Sequence, residues 1–198
     1  RRLTLADARG LGDEFFAAVA LVIRSSMALR HLVLSTEAVL RENSSSGDNG
    51  AASVADAARL TGRLAKLWLL HSGVTDVGAE AIASALPACF SLTDLSLADN
   101  RIGDDGAAKL AEALADCETL RRLSLHNNRI GDAGAHALAA AAAANPSLRR
   151  LTLSNNRIRT GFPESWRHSL ADAMALAPGT RSGGFVGDGG DRFGAAPR

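Results

Sequence analysis

Tyrosine is absent from these 198 residues, and aromatic residues together make up only 4%. A core built on stacked rings is therefore excluded. Hydrophobic residues still reach 46%, so Ala and Leu must do the filling. Only two cysteines occur, Cys89 and Cys117, too few for the disulfide framework of a small secreted domain. They lie 28 residues apart, and reduced thiols at one structural slot are the expectation. Charge of one sign is also missing: 22 Lys and Arg face 21 Asp and Glu, for a formal net charge of +1. That balance gives no polyelectrolyte signal, so neither a specific nucleic acid nor an anionic membrane is predicted as partner. No apolar run approaches the length of a bilayer span, and no secretory signal is visible. The reading is a cytoplasmic, monomeric protein.

Chemical motifs are missing as well. There is no Walker loop, nucleophile elbow, HExxH pair or paired catalytic carboxylates. His71 and His126 lie two repeats apart, too far for joint metal ligation, and no thiol or carboxylate cluster accompanies them. No enzyme activity, metal or cofactor is expected.

What is present is a period. Leu64, Leu92, Leu120 and Leu148 are 28 residues apart, and each opens the same phrase. It runs Leu92-x-x-Leu95-x-Leu97, then Asn100-Arg101-Ile102, then Gly-Asp-x-Gly and an Ala/Leu-rich stretch. Copies follow with Leu123, Leu125, Asn128, Ile130 and with Leu151, Leu153, Asn156, Ile158. A fixed period in this range marks a solenoid of stacked units, none of which can bury its apolar face alone. The units are approximately 1–28, 29–63, 64–91, 92–119, 120–147 and 148–176. The second carries about seven extra residues, placed in a surface loop at 43–50 because Ser, Asn and Gly dominate there. The sixth loses its Gly-Asp-x-Gly turn and uses Trp166 and Leu170 as a closing cap. The Gly-rich segment 177–198 is predicted to be a disordered tail. The first strand begins mid-phrase at Leu3 and Leu5, from which further upstream repeats are expected.

Each slot has a physical reason. The second and third leucines are two apart, so a strand sends both into the core and their neighbours outward. Asn100, Asn128 and Asn156 are expected to form a buried ladder, bonding turn backbone and one another. Ile102, Ile130, Ile158 and, one repeat earlier, Val74 fill the core behind them. Gly103 and Gly131 are assigned left-handed backbone, Asp104 and Asp132 the capping of helix N-termini, and Gly106 and Gly134 close approach of helix to strand. Recurrence in successive repeats makes the Gly-Asp step structural rather than a phosphate or metal motif.

These phrases resemble the ribonuclease-inhibitor type of leucine-rich repeat, whose members include ribonuclease inhibitor, the Ran GTPase-activating protein and the sensing domains of NOD-like receptors. The resemblance implies an α/β fold: a right-handed horseshoe with a parallel sheet on the concave face and helices on the convex face. It implies a protein-protein interaction module holding a macromolecular partner. GTPase activation, as in the Ran activator, and ligand sensing, as in the receptors, are the alternatives.

The outward strand slots locate the candidate surface. Val33, Trp68 and Leu70 are expected to form an apolar patch on the second and third strands, with Trp68 as a hot spot. The other placements open to Trp68 are beneath the Ser44–Gly50 loop or across a neighbouring strand. Lys66, Arg121, Arg122, Arg149 and Arg150 are expected to stack into basic columns, as are Arg101, Arg129 and Arg157 after the Asn slot. Such columns suit a protein partner with an acidic surface, unless Asp94, Asp99, Asp104 and Asp105 balance them.

Overall fold

A computed structural model of the protein describes residues 1–6, 13–36 and 46–159. Strands and helices alternate along the chain. They are β1 (Arg2–Ala6), α1 (Asp13–Ser25), β2 (His31–Ser35), α2 (Ser46–Thr61), β3 (Lys66–Leu70), α3 (Asp76–Ala85), β4 (Asp94–Ser96), α4 (Asp104–Ala115), β5 (Arg122–Ser124), α5 (Asp132–Ala144) and β6 (Arg150–Thr152). A short 3-10 turn, Leu86–Ala88, follows α3. The six strands form one parallel sheet in sequence order. Leu3, Leu32, Leu67, Leu95, Leu123 and Leu151 fall on one line across it. This is the leucine-rich repeat solenoid, with each helix packed on the next and the sheet on the concave side.

The core is one continuous body of aliphatic side chains. Leu67 and Leu69 are buried, as are Leu95, Leu97, Leu123 and Leu125, whereas Leu3 and Leu5 on the edge strand are only partly buried. The helices contribute Ile82, Leu110, Leu114 and Leu138. Val74, Ile102 and Ile130 are fully buried, and Ile158 packs on the cluster while partly exposed. Cys89 and Cys117 are buried and free. Burial, and secondarily the neighbouring Cys117, pushes the Cys89 thiol up to about 11.

The Asn slot works between repeats rather than between asparagines. Asn128 accepts from the Ile102 N–H at 3.0 Å and donates to the carbonyls of Leu97, Leu125 and His126. Asn100 accepts from the Ser72 and Val74 N–H groups and donates to Leu69, Leu97 and Ala98. Asn156 repeats the pattern toward Ile130 and Leu125. Among the described residues these partners are all backbone, so the expected amide-to-amide ladder gives way to a backbone clamp across each joint.

The Gly-Asp step differs further from expectation. Gly103 and Gly131 have φ of −101° and −92°, ordinary extended backbone. The left-handed position shared by these turns is instead His71, Asp99, Asn127 and Asn155, with φ of 49°, 59°, 53° and 56°, joined after β3 by Gly73 at 69°. Asp, Asn and His are the non-glycine types that tolerate this region best. The aspartates do cap helix N-termini, but across the joint between repeats. The Asp104 carboxylate accepts from Gly131 and Gly134 N–H groups, both at 2.8 Å, and so caps the helix of the following repeat. Asp76 does the same for Gly103 and Gly106, and Asp132 accepts from Arg159 N–H. The glycines make room for these carboxylates. A Cβ on Gly134 would lie 2.6 Å from Asp104 Oδ1 and 2.9 Å from Ala107 Cβ. The close approach is therefore to the preceding helix, not to the strand.

The expected loop at 43–50 is also revised, because α2 already begins at Ser46. Asp48 is the carboxylate of this series in the second repeat. It is buried and accepts from Thr75 N–H, the Thr75 hydroxyl and Gly78 N–H. Ser, Asn, Gly and Asp favour helix starts as strongly as loops, which is why composition misled here. Residues 43–45, the Trp166 and Leu170 cap and the 177–198 tail lie outside the described residues.

Candidate binding surface

The pleat and the register together lay out the concave face. Its middle row, one residue per strand, is Thr4, Val33, Trp68, Ser96, Ser124 and Thr152. Val33 and Trp68 are thus direct neighbours, and Leu70 lies two residues beyond Trp68 on the same face. All three are half-buried. Trp68 sits within β3, paired to β2 on one side and to β4 on the other. The register thus places Val33, Trp68 and Leu70 together on one face.

The edge where the strands begin carries two rows of longer side chains. One row is Arg2, His31, Lys66, Asp94, Arg122 and Arg150. The other is set by backbone bonds from each N–H to the carbonyl of the repeat before: Arg1, Arg30, Ala65, Thr93, Arg121 and Arg149. The arginines of both rows are exposed, and His31 and Lys66 are half-buried. Lys66 and Arg122 do not form an unbroken basic column, because Asp94 stands between them. Asp94 is only 4% exposed; it pairs with Arg122 and accepts from the Thr93 hydroxyl at 2.7 Å. Burial pushes its carboxyl up, but the bonds from Arg122 and Thr93 outweigh that and hold it below the usual carboxylate range. His31 is held below the ordinary imidazole value by burial first, then by the charges of Lys66, the amino terminus and Arg2.

Arg101, Arg129 and Arg157 stack as a separate column. Their N–H groups donate to the carbonyls of Val74, Ile102 and Ile130, just past the Asn clamp. This lies at the edge where the strands end, so the two sets of arginines flank the concave face. Of the four acids that could balance them, Asp94 alone pairs with an arginine among the described residues. Asp99 pairs with His71 at 3.5 Å and accepts from Asn127, and Asp104 is taken up in the cap. His126 contacts the Ser154 hydroxyl instead. Among the described residues no group of three or more His, Cys, Asp or Glu could hold a metal ion. Among them, too, no helix is long and apolar enough to cross a membrane.

Arg1, Arg2, Arg30 and His31 belong to this edge and were missed in the sequence. The first two repeats are degraded copies, and only the register shows that these residues continue the rows. The signal was there in Arg1-Arg2-Leu3 and Arg30-His31-Leu32, which repeat the Arg121-Arg122-Leu123 step.

Comparison with known proteins agrees with this geometry. Family models described as Leucine Rich repeat match residues 88–111 and 116–139, and a second Leucine Rich Repeat model matches 147–169. The chain therefore carries leucine-rich repeats. No curated protein matches it. Among solved structures it is similar to "Leiomodin-1 Actin-Binding Site 2 (ABS2)", at 23% identity and a TM-score of 0.55, over 63% of this chain and 70% of that one. It is also similar to the tropomodulin C-terminal domain of Caenorhabditis elegans, at 16% identity and a TM-score of 0.64, over 81% of this chain and 91% of that one. At these identities the likeness shows the fold.

Proposed function

We propose that the chain is a protein-interaction module, built from repeats of the ribonuclease-inhibitor type, that holds a protein partner on its concave face. The observation that carries the reading is the side-by-side placement of Val33 and Trp68, with Leu70 next along the strand. A partly exposed Trp bounded by aliphatics supplies what a binding hot spot needs: large apolar area at low entropic cost, with an N–H for orientation. The arginine rows would steer an acidic partner surface toward it. A binding role also fits the fate of the recurrent Gly-Asp carboxylates. Asp48, Asp76 and Asp104, carboxylates that could otherwise ligate a metal, are occupied in capping the next helix. The leiomodin structure is titled an actin-binding site, which makes filamentous actin the first partner to assay. Buried free thiols support a reducing, cytoplasmic setting.

The test is co-sedimentation with actin and affinity capture, each with the wild-type chain and with Trp68→Ala. The expected result is at least about a tenfold loss of partner affinity with an unchanged melting temperature. Undiminished capture would overturn the reading. So would a large fall in melting temperature, which would assign Trp68 to the core.

A further inference from the structure

The two rows at the strand-start edge are more lopsided than the chain as a whole. Their twelve positions hold eight of the 22 Lys and Arg, but only one of the 21 acids. Everything outside them is therefore net acidic, although the chain is nearly neutral. The one acid, Asp94, is buried, ion-paired to Arg122 and only more weakly attracted by Lys66; among the described residues none of the other seven cations has a carboxylate partner within ion-pair distance. Arg2 donates to the Thr4 hydroxyl, Arg30 to the Arg63 carbonyl and Arg121 to the Ser147 carbonyl, contacts that leave their charge uncompensated. Holding so many like charges in register costs free energy by mutual repulsion. An anionic occupant would remove that cost.

We propose that this edge is a docking strip for an acidic polypeptide segment, lying extended across the strands and held by its carboxylates on the arginine rows. The proposal rests on the reading that the partner is a protein, and adds the chemistry of the segment bound. Six strands give five steps of about 4.8 Å, or about 24 Å, which an extended chain rising about 3.3 Å per residue covers in about seven residues. Guanidinium forks match carboxylates in a bidentate way. None of the twelve positions is Phe, Tyr or Trp, and the one imidazole, His31, is half-buried, so the strip offers no run of stacking platforms for the bases of a single-stranded nucleic acid. A flat bilayer does not follow the inner edge of a curved sheet. His31 reports on occupancy: after burial, the cations Lys66, the amino terminus and Arg2 depress it, with Asp94 acting in the opposite sense, and a bound acidic chain would neutralise those cations.

The experiment is fluorescence anisotropy of labelled deca-glutamate with the full 198-residue chain at low salt. Deca-glutamate is expected to bind, with affinity falling as salt rises. The double reversal Arg149→Glu, Arg150→Glu is expected to weaken binding at least tenfold, and Arg149→Ala with Arg150→Ala serves if the reversal perturbs folding by circular dichroism. Arg24→Glu, exposed at the end of α1, is expected to change it less than twofold. The His31 imidazole is expected to titrate at higher pH in the complex. Absence of binding, equal affinity in the arginine variants, an unmoved His31 titration or tighter binding of deca-uridylate would each overturn the proposal. Failure of the apolar anchor is distinct: it shows as partner capture that survives Trp68→Ala, whatever deca-glutamate does.

Discussion

Asn128 bonds four backbone groups while exposing almost none of its own surface. One oxygen takes the Ile102 N–H, and one NH2 reaches three carbonyls drawn from two repeats. Asn128→Ala would leave these buried groups without partners, which costs about 1–3 kcal/mol. Urea unfolding is the check, and wild-type stability would show the clamp to be dispensable. Asp94 makes the second residue-scale prediction. Its folded pKa is depressed, so its contribution is complete above the unfolded value of about 3.9 and is lost as pH falls through the folded value. Wild type is therefore expected to lose stability below about pH 4 that Asp94→Asn does not lose. Parallel acid limbs in urea midpoints measured against pH would contradict the Asp94–Arg122 pairing. The leucine, isoleucine and asparagine slots were legible in the sequence because each reports its own burial through a period. The left-handed position was not, since Asp99, Asn127, Asn155 and His71 differ in type and the neighbouring glycines drew the assignment.

At the scale of the element, the helices are capped by the repeat before them. An aspartate at the start of one helix lies against the N-terminus of the next, where its charge meets the positive end of the helix dipole. Sequence reading ties a cap to its own helix, so a partner 27 residues away could not be found by local rules. The same blindness hid Gly47-Asp48-Asn49-Gly50, whose Asp48 and Gly50 are in phase with Asp76 and Gly78 once the seven extra residues are placed before them. Gly134→Ala tests this packing. Helix propensity alone favours Ala by about 1 kcal/mol. The added Cβ, however, would stand 3.0 Å from Asp104 Cα, a backbone atom that cannot swing aside. Overpacking of this kind costs about 1–3 kcal/mol, so the net effect is expected to be destabilising. A rise in melting temperature would mean that the helices can separate.

At the scale of the whole molecule, the fold was legible and the surface only in part. Period and phrase dictate a solenoid because no single repeat can cover its leucines. Which outward residues matter depends on register between strands about 30 residues apart. That register brings Val33 beside Trp68, inserts Asp94 between Lys66 and Arg122, and extends the arginine rows to Arg1 and Arg2. Both proposed docking features follow from it. It is tested most directly by a spin-label distance between Thr4→Cys on β1 and Thr152→Cys on β6, positions joined by one row across all six strands. The native thiols are buried, and Cys89 is held protonated by its pKa of about 11, which leaves the label to the engineered sites. Five in-phase steps give a single narrow distribution centred near about 24 Å, broadened by the label arms. A broad distribution, or one centred beyond about 40 Å, would contradict the stacked register and with it the shared face.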